Sequence, residues 1–266
     1  MSGDVPMDGL HIDDRGEGPA VLLLHAFPCD GSMWQPQADA LAEAGWRVLV
    51  PDLPGFGGSS LPDAEPSLAV VAERLLAALD ERGIEHCLVG GISLGGYLAM
   101  AIAAHRPSVL RGLALCDTKA TADAQAAREN RERLALLCEQ SPSDTGRILE
   151  QAVLPGLLGD TSRITRPDVV ERVRAWLSAA PSATVAWYQR AMASRPDSRA
   201  ALFALDVPAV VVWGVEDALS PREEQDLMLG SLQNGELAVV EAAGHLSNVE
   251  RPHVVSAALV AFASRS

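Results

Sequence analysis

Six short apolar runs alternate with longer helical patterns, and this alternation constrains the chain more than any other feature. The runs are Val21–Leu24, Arg47–Val50, Cys87–Val89, Leu113–Cys116, Ala209–Trp213 and Leu237–Val240, each bounded by Gly, Pro, Asp or His. Short runs with turn punctuation read as buried strands of a parallel sheet. Helices are expected between them. Ser67 is placed as an N-cap, and Leu68, Val71, Leu75, Leu76 and Leu79 share one helical face behind it. Leu94–Ala104 forms a second, nearly all-apolar helix that stops near Arg106-Pro107, and Val254–Phe262 a third, after Pro252. Strands alternating with helices predict an α/β fold with a doubly wound sheet.

The alternation fails from Lys119 to Ala200, where Arg-rich helical stretches are broken by Pro and Gly and no strand is evident. Charge marks the same boundary. Positions 119–200 hold 12 basic and 10 acidic residues, whereas the rest of the chain holds 9 and 25. We therefore divide the chain into a core of residues 1–118 and 201–266 and a helical insertion of residues 119–200. The 266 residues, 48% of them apolar, suffice for one α/β domain carrying such an insertion.

A net charge of −14 argues against nucleic acid and anionic membranes as partners. Met1–Pro6 lacks the basic and apolar regions of a signal peptide, and no apolar stretch is long enough to span a bilayer. A cytoplasmic protein is expected. Cys29, Cys87, Cys116 and Cys138 are widely spaced, and Cys87 and Cys116 sit in apolar runs as buried, reduced thiols. The six histidines are scattered without a His-x-x-x-His helix, so neither a metal nor a cofactor is expected.

Gly91-Ile92-Ser93-Leu94-Gly95 lies between an apolar strand and an apolar helix. A turn of this kind strains the central residue and aims its side chain outward, at a helix N-terminus that favours developing negative charge. Ser93 is thus the candidate nucleophile. A serine hydroxyl needs a base, and His245, in the loop between the last strand and the last helix, is the candidate. The base needs an acid. Asp217, just past the Ala209–Trp213 strand, gives the chain order Ser, Asp, His; Asp117, ending the Leu113–Cys116 strand, and the adjacent Glu216 are its rivals. His25-Ala26-Phe27-Pro28 follows the first run, and the amides of Phe27 and Leu94 are the candidate oxyanion donors. His25 itself is expected to be structural.

These segments, with Pro51-Asp-Leu-Pro-Gly-Phe-Gly-Gly-Ser59, resemble the α/β-hydrolase superfamily in order along essentially the whole chain. The family more often has His-Gly where this chain has His25-Ala26. The resemblance implies a mostly parallel sheet of about eight strands flanked by helices, with residues 119–200 as a helical cap over the site. Haloalkane dehalogenases and epoxide hydrolases place Asp where Ser93 stands, so Ser93 points to esters, lactones, thioesters or C–C bonds. Leu113–Thr121 resembles the start of the cap in the 3-oxoadipate enol-lactonase-like group, and small esterases and cofactor-free perhydrolases share the core. The expected activity is cleavage of a small ester or lactone through an acyl-enzyme. Perhydrolysis, C–C bond hydrolysis and a catalytically silent ligand-binding scaffold are the alternatives. Met33, Trp34 and Trp187 are expected to border the substrate pocket, and each is equally suited to core packing.

Overall fold

The apolar runs assemble into one sheet. In the computed structural model, which describes residues 9–266, the strands are β1 (Ile12–Arg15), β2 (Ala20–Leu24), β3 (Arg47–Pro51), β4 (Cys87–Ile92), β5 (Leu110–Cys116), β6 (Ala209–Gly214) and β7 (Gly235–Val240). The reading of Met1–Pro6 as lacking a signal peptide lies outside the described residues. Sheet order is β1-β3-β2-β4-β5-β6-β7, with β1 antiparallel to β3 and every other pair parallel. The expected eight strands are thus corrected to seven among the described residues. Of these, β1 has no counterpart among the apolar runs. Its sequence, Ile-Asp-Asp-Arg, is that of an edge strand held by backbone pairing to β3 rather than by burial.

Strands β2, β4 and β6 are buried at every position, as strands covered on both faces must be. The covering helices of the first half are α1 (Gln35–Glu43), α2 (Leu68–Glu81) and α3 (Leu94–His105). The Ser67 side chain caps α2 by accepting the Ala69 amide at 3.2 Å. Between β5 and β6 the chain makes α4 (Gln125–Gln140), α5 (Thr145–Ala152), α6 (Leu154–Leu157), α7 (Asp160–Thr165), α8 (Pro167–Ala179), α9 (Ser182–Ala193) and α10 (Arg199–Phe203), with no strand among them. Helices α11 (Arg222–Leu229), α12 (Ser247–Glu250) and α13 (Pro252–Ala263) complete the chain.

Much of the insertion's arginine content faces solvent in ion pairs. Arg190 joins Glu132 and Glu139, and Arg174 joins Glu150 and Glu171. Such exposed pairs contribute about 0–1 kcal/mol each. All four cysteines are free and buried, and burial pushes the Cys87 thiol up to about 12. No helix among the described residues is long and apolar enough to cross a membrane.

Topology places the site. From β2 the chain crosses to β3 on one side, then returns to β4 on the other. The crossovers diverge there and leave a crevice at the carboxyl ends of β2 and β4, where open α/β sheets bind ligands. Phe27 follows β2 and Ser93 follows β4.

Candidate active site

Ser93 is the single residue between β4 and α3, with φ 53° and ψ −113°. A non-glycine residue in this region costs about 1–3 kcal/mol and persists only where its surroundings fix it. Here the Ser93 amide donates to the Cys116 carbonyl at 3.0 Å, and its own carbonyl accepts the Tyr97 amide at 3.1 Å and the Thr118 hydroxyl at 2.9 Å. The two motif glycines permit the close approach. A Cβ on Gly91 would lie 2.1 Å from the Gly95 carbonyl oxygen, and one on Gly95 would lie 2.0 Å from that of Leu24.

The His245 Nε2 atom stands 2.7 Å from Ser93 Oγ. Its Nδ1 lies 2.9 Å from both Asp217 carboxylate oxygens. An ionised carboxylate only accepts, so Nδ1 carries the proton and Nε2 is left to accept from the Ser93 hydroxyl. Asp217 is fixed in turn by the amides of Leu219 (2.8 Å) and Ser220 (3.1 Å) and by the Ser220 hydroxyl. Burial works against the charge of both partners. The attraction between them outweighs it, holding Asp217 below the ordinary carboxylate value and His245 above the ordinary imidazole value.

The rival acids lie elsewhere. Asp117 is fully buried, with φ 41°, and accepts the amides of Gly214 (2.8 Å) and Ser247 (3.1 Å), so it ties the end of β6 to the start of α12. Burial, with the neighbouring Asp217 charge, pushes its carboxyl well up. Glu216 turns away from the ring and accepts the amide and hydroxyl of Thr161 in the insertion.

Among the hydrogen bonds of the described residues, neither the Phe27 nor the Leu94 amide donates to another protein group. Phe27 lines the cavity beside Ser93, and Leu94 directly follows Ser93 as the first residue of α3. His25 is wholly buried and structural in its contacts: Nε2 accepts the Leu53 amide at 2.8 Å, so Nδ1 donates to the Ala26 carbonyl at 2.9 Å.

A cavity of 530 Å³ opens on Ser93, His245 and Phe27. One face of α4 lines it, with Ala127, Asn130, Arg131, Leu134 and Leu137 following helical spacing. Its polar end adds Lys119, Asp123 and Gln189, and its apolar end Val153, Leu157 and Leu219. Asp123 meets three cations, Lys119 at 3.8 Å, Arg131 at 2.5 Å and Arg195 at 2.9 Å.

The expected pocket residues are not part of this wall. Met33 is fully buried beneath the loop of residues 25–28, where its sulfur accepts the Ala26 amide at 3.2 Å. Trp34 is fully buried in the core. Trp187 packs edge-on to Tyr188 and donates to the Ala64 carbonyl at 2.9 Å. Position just after the His25–Pro28 loop points Met33 and Trp34 to the site, and bulk within the insertion points Trp187 there, but core packing claims residues of that kind first. Lys119, Arg131 and Leu219 went unpredicted as wall residues; the repeat of inward positions along α4 is the signal that could have found Arg131.

A family model described as alpha/beta hydrolase fold matches residues 19–252. Pimeloyl-(acyl-carrier protein) methyl ester esterase of Aeromonas hydrophila subsp. hydrophila is 30% identical over 249 residues, covering 91% of this chain and 94% of the relative. Among solved structures, a thermophilic esterase from Thermogutta terrifontis with malate bound is 36% identical, with a TM-score of 0.91 over 96% of this chain and 93% of its own. An enol-lactonase from Burkholderia xenovorans LB400 is 25% identical, with a TM-score of 0.87 and 96% of each chain covered.

Proposed function

Because this chain belongs to the α/β-hydrolase family, whose relatives named above are hydrolytic enzymes, we propose that it is a serine hydrolase of small carboxylic esters or lactones. One observation carries the reading: the continuous relay from Asp217 through His245 to Ser93, 2.9 and 2.7 Å per step, at a strained strand–helix turn. His245 Nε2 takes the hydroxyl proton as Ser93 Oγ bonds to the substrate carbonyl carbon. The Phe27 and Leu94 amides receive the negative charge that develops on the carbonyl oxygen. The tetrahedral centre collapses, the alkoxide leaves with the proton from Nε2, and an acyl-Ser93 ester remains. Water, giving a proton to the same nitrogen, attacks that ester and releases the acid and free Ser93. The helices of residues 119–200 serve as a cap that selects the substrate.

The cavity's charge supports an acidic substituent on the substrate. Arg195 is buried, with its guanidinium 4.0 Å over the Tyr97 ring. Asp123 offsets one positive charge, so Lys119 and Arg131 leave the polar end cationic within a strongly acidic protein. An ester with a carboxylate on one arm and an alkyl group on the other matches the two ends.

Hydrolysis of p-nitrophenyl acetate and of a monoalkyl ester of a short dicarboxylic acid tests both parts. Ser93→Ala should abolish turnover of each while the circular dichroism stays unchanged, and a fluorophosphonate probe should label Ser93 in the parent. Folded parent protein that takes no label would favour the ligand-binding scaffold. Lys119→Ala and Arg131→Ala should each raise KM about tenfold for the acidic ester alone, a shift of about 1.4 kcal/mol.

A further inference from the structure

Two carboxylates outside the relay, Glu250 buried and Glu216 half-buried, face one short stretch of the insertion. Glu250, at the end of α12, is wholly buried. One of its oxygens accepts the amides of Gly244 at 2.9 Å and Leu246 at 3.3 Å, the residues on either side of His245. The other accepts the Gly159 amide at 3.0 Å, between α6 and α7. Glu216, next to Asp217, accepts the Thr161 amide at 2.8 Å and the Thr161 hydroxyl. Residues 159–161 are therefore bonded to the loop of the base through one carboxylate and to the loop of the acid through the other.

The contact leaves no slack. A Cβ on Gly244 would lie 2.2 Å from the Gly159 nitrogen, and one on Gly159 would lie 2.3 Å from Glu216 Oε2. The backbones of the base loop and the insertion thus touch with no side chain between them. Just upstream, Gly156 and Leu157 line the cavity beside Ser93 and His245, and Leu219, two residues past Asp217, packs on Gly156. The same short segment forms the wall of the substrate cavity on one side and a seat for the acid and base loops on the other.

We infer that Glu250 is a positioning residue for His245, clasping the base loop to Gly159 so that the insertion forms part of the catalytic framework as well as its cover. The inference rests on the proposed serine-hydrolase reading, since it assigns Glu250 a part in placing that reaction's base. A carboxylate suits the place because it offers four acceptor sites and no donor to the three inward-pointing amides. Glutamine would turn one NH2 group towards amide donors and break the clasp on one side. Glu250 also supplies negative charge near the His245 ring, after the larger influences of Asp217 and then Asp117. Loosening the clasp and removing the charge both ease deprotonation of the ring. Asp117 also faces the ring electrostatically and is left in place.

The test compares parent, Glu250→Gln and Gly159→Ala, with Arg163→Ala as control because the exposed Arg163 side chain pairs with Asp160 of the same helix, α7. Two readouts are taken: kcat and KM on p-nitrophenyl acetate, and the pH midpoint of the His245 ring followed by NMR without substrate. Glu250→Gln should keep KM within about threefold, lower kcat about 10–100-fold, and bring the His245 midpoint down by about half a pH unit or more. Gly159→Ala leaves the Glu250 charge intact and wedges a methyl against Glu216 and Gly244. It should reproduce the kcat loss, and it serves where Glu250→Gln does not fold. Arg163→Ala should match the parent in both readouts. A folded Glu250→Gln or Gly159→Ala protein with parental kcat and His245 midpoint overturns the inference. The NMR readout needs no turnover, so a chain that proves not to hydrolyse esters refutes the proposed activity separately from the clasp.

Discussion

Replacing Asp217 with Asn keeps the size of the side chain and reverses the logic of its hydrogen bonds. In the parent, the carboxylate accepts from the Leu219 and Ser220 amides, the Ser220 hydroxyl and His245 Nδ1. Asparagine has one accepting oxygen. The two amides fix that oxygen on the loop side, which turns the NH2 group towards Ser220 Oγ and the ring. The NH2 group set against Nδ1 favours the tautomer with a bare Nδ1 and the proton on Nε2, 2.7 Å from Ser93 Oγ. A protonated Nε2 cannot take the serine proton, and an uncharged partner no longer stabilises the imidazolium. Loss of the correct tautomer in such a relay costs about 10⁴ in kcat, or about 5.4 kcal/mol of transition-state stabilisation. Asp117→Asn supplies the contrast. Among the described residues, Asp117 bonds to no ring and accepts from the amides of Gly214 and Ser247, so one amide loses its acceptor. That costs about 1–3 kcal/mol of fold stability, with a rate loss of tenfold at most, roughly. The assay is kcat on p-nitrophenyl acetate for folded variants, with urea midpoints for stability. An Asp217→Asn protein that keeps a tenth of the parental kcat, or an Asp117→Asn protein that loses more than it, would refute the assignment.

Three further outcomes are expected. Because His245 lies above its ordinary value and acts as a base only when neutral, kcat/KM should rise with pH through a midpoint above about 6.5; a limb centred lower contradicts the ion pair. The same raised value makes His245 stabilise the fold fully below its unfolded value and lose that contribution as pH rises through the folded one, so its effects on activity and stability run in opposite directions. Gly95→Ala should lower stability by about 3 kcal/mol or prevent folding, since the added methyl meets the Leu24 carbonyl at 2.0 Å and backbone cannot yield cheaply; a parental urea midpoint would contradict the close approach. Native protein should show no fast thiol reaction with a disulfide reagent and four reacting thiols once unfolded, because all four cysteines are buried.

Much of this was legible in the chain because burial and chemistry coincide at strand ends. Strands β2, β4, β5 and β6 are apolar because helices cover both faces, and the residues just past them are short, glycine-punctuated and polar. Ser93 past β4 and Asp217 past β6 occupy such places, and His245 stands past the more exposed β7 in a loop that also carries glycine. Strand β1 escaped because backbone pairing, and no apolar pattern, holds an edge strand such as Ile-Asp-Asp-Arg. Met33 and Trp34 were misplaced for the opposite reason: a bulky side chain next to a functional loop packs beneath it as readily as it faces the ligand. Glu216 and Glu250 carried no local signal, since their partners lie 55 and 91 residues away in the insertion. The arginines of the insertion could not be sorted by composition either. Arg131 on α4 faces the cavity and Arg190 on α9 the solvent, and the packing of these two helices against each other decides which.

The contact between Gly95 and the Leu24 carbonyl has a consequence for how such a chain can change. It seats α3 directly on the end of β2, so backbone alone sets the spacing between the Phe27 and Leu94 amides. In the proposed reaction these amides receive the developing negative charge, and that part of the site is indifferent to most side-chain replacement. The α4 wall, at Ala127, Asn130, Arg131 and Leu134, is all side chain. On the proposed reading, point substitutions there retune which esters enter, while the two backbone amides proposed to receive the negative charge are inherited unchanged. Novelty in substrate and constancy in reaction fall to different kinds of atom.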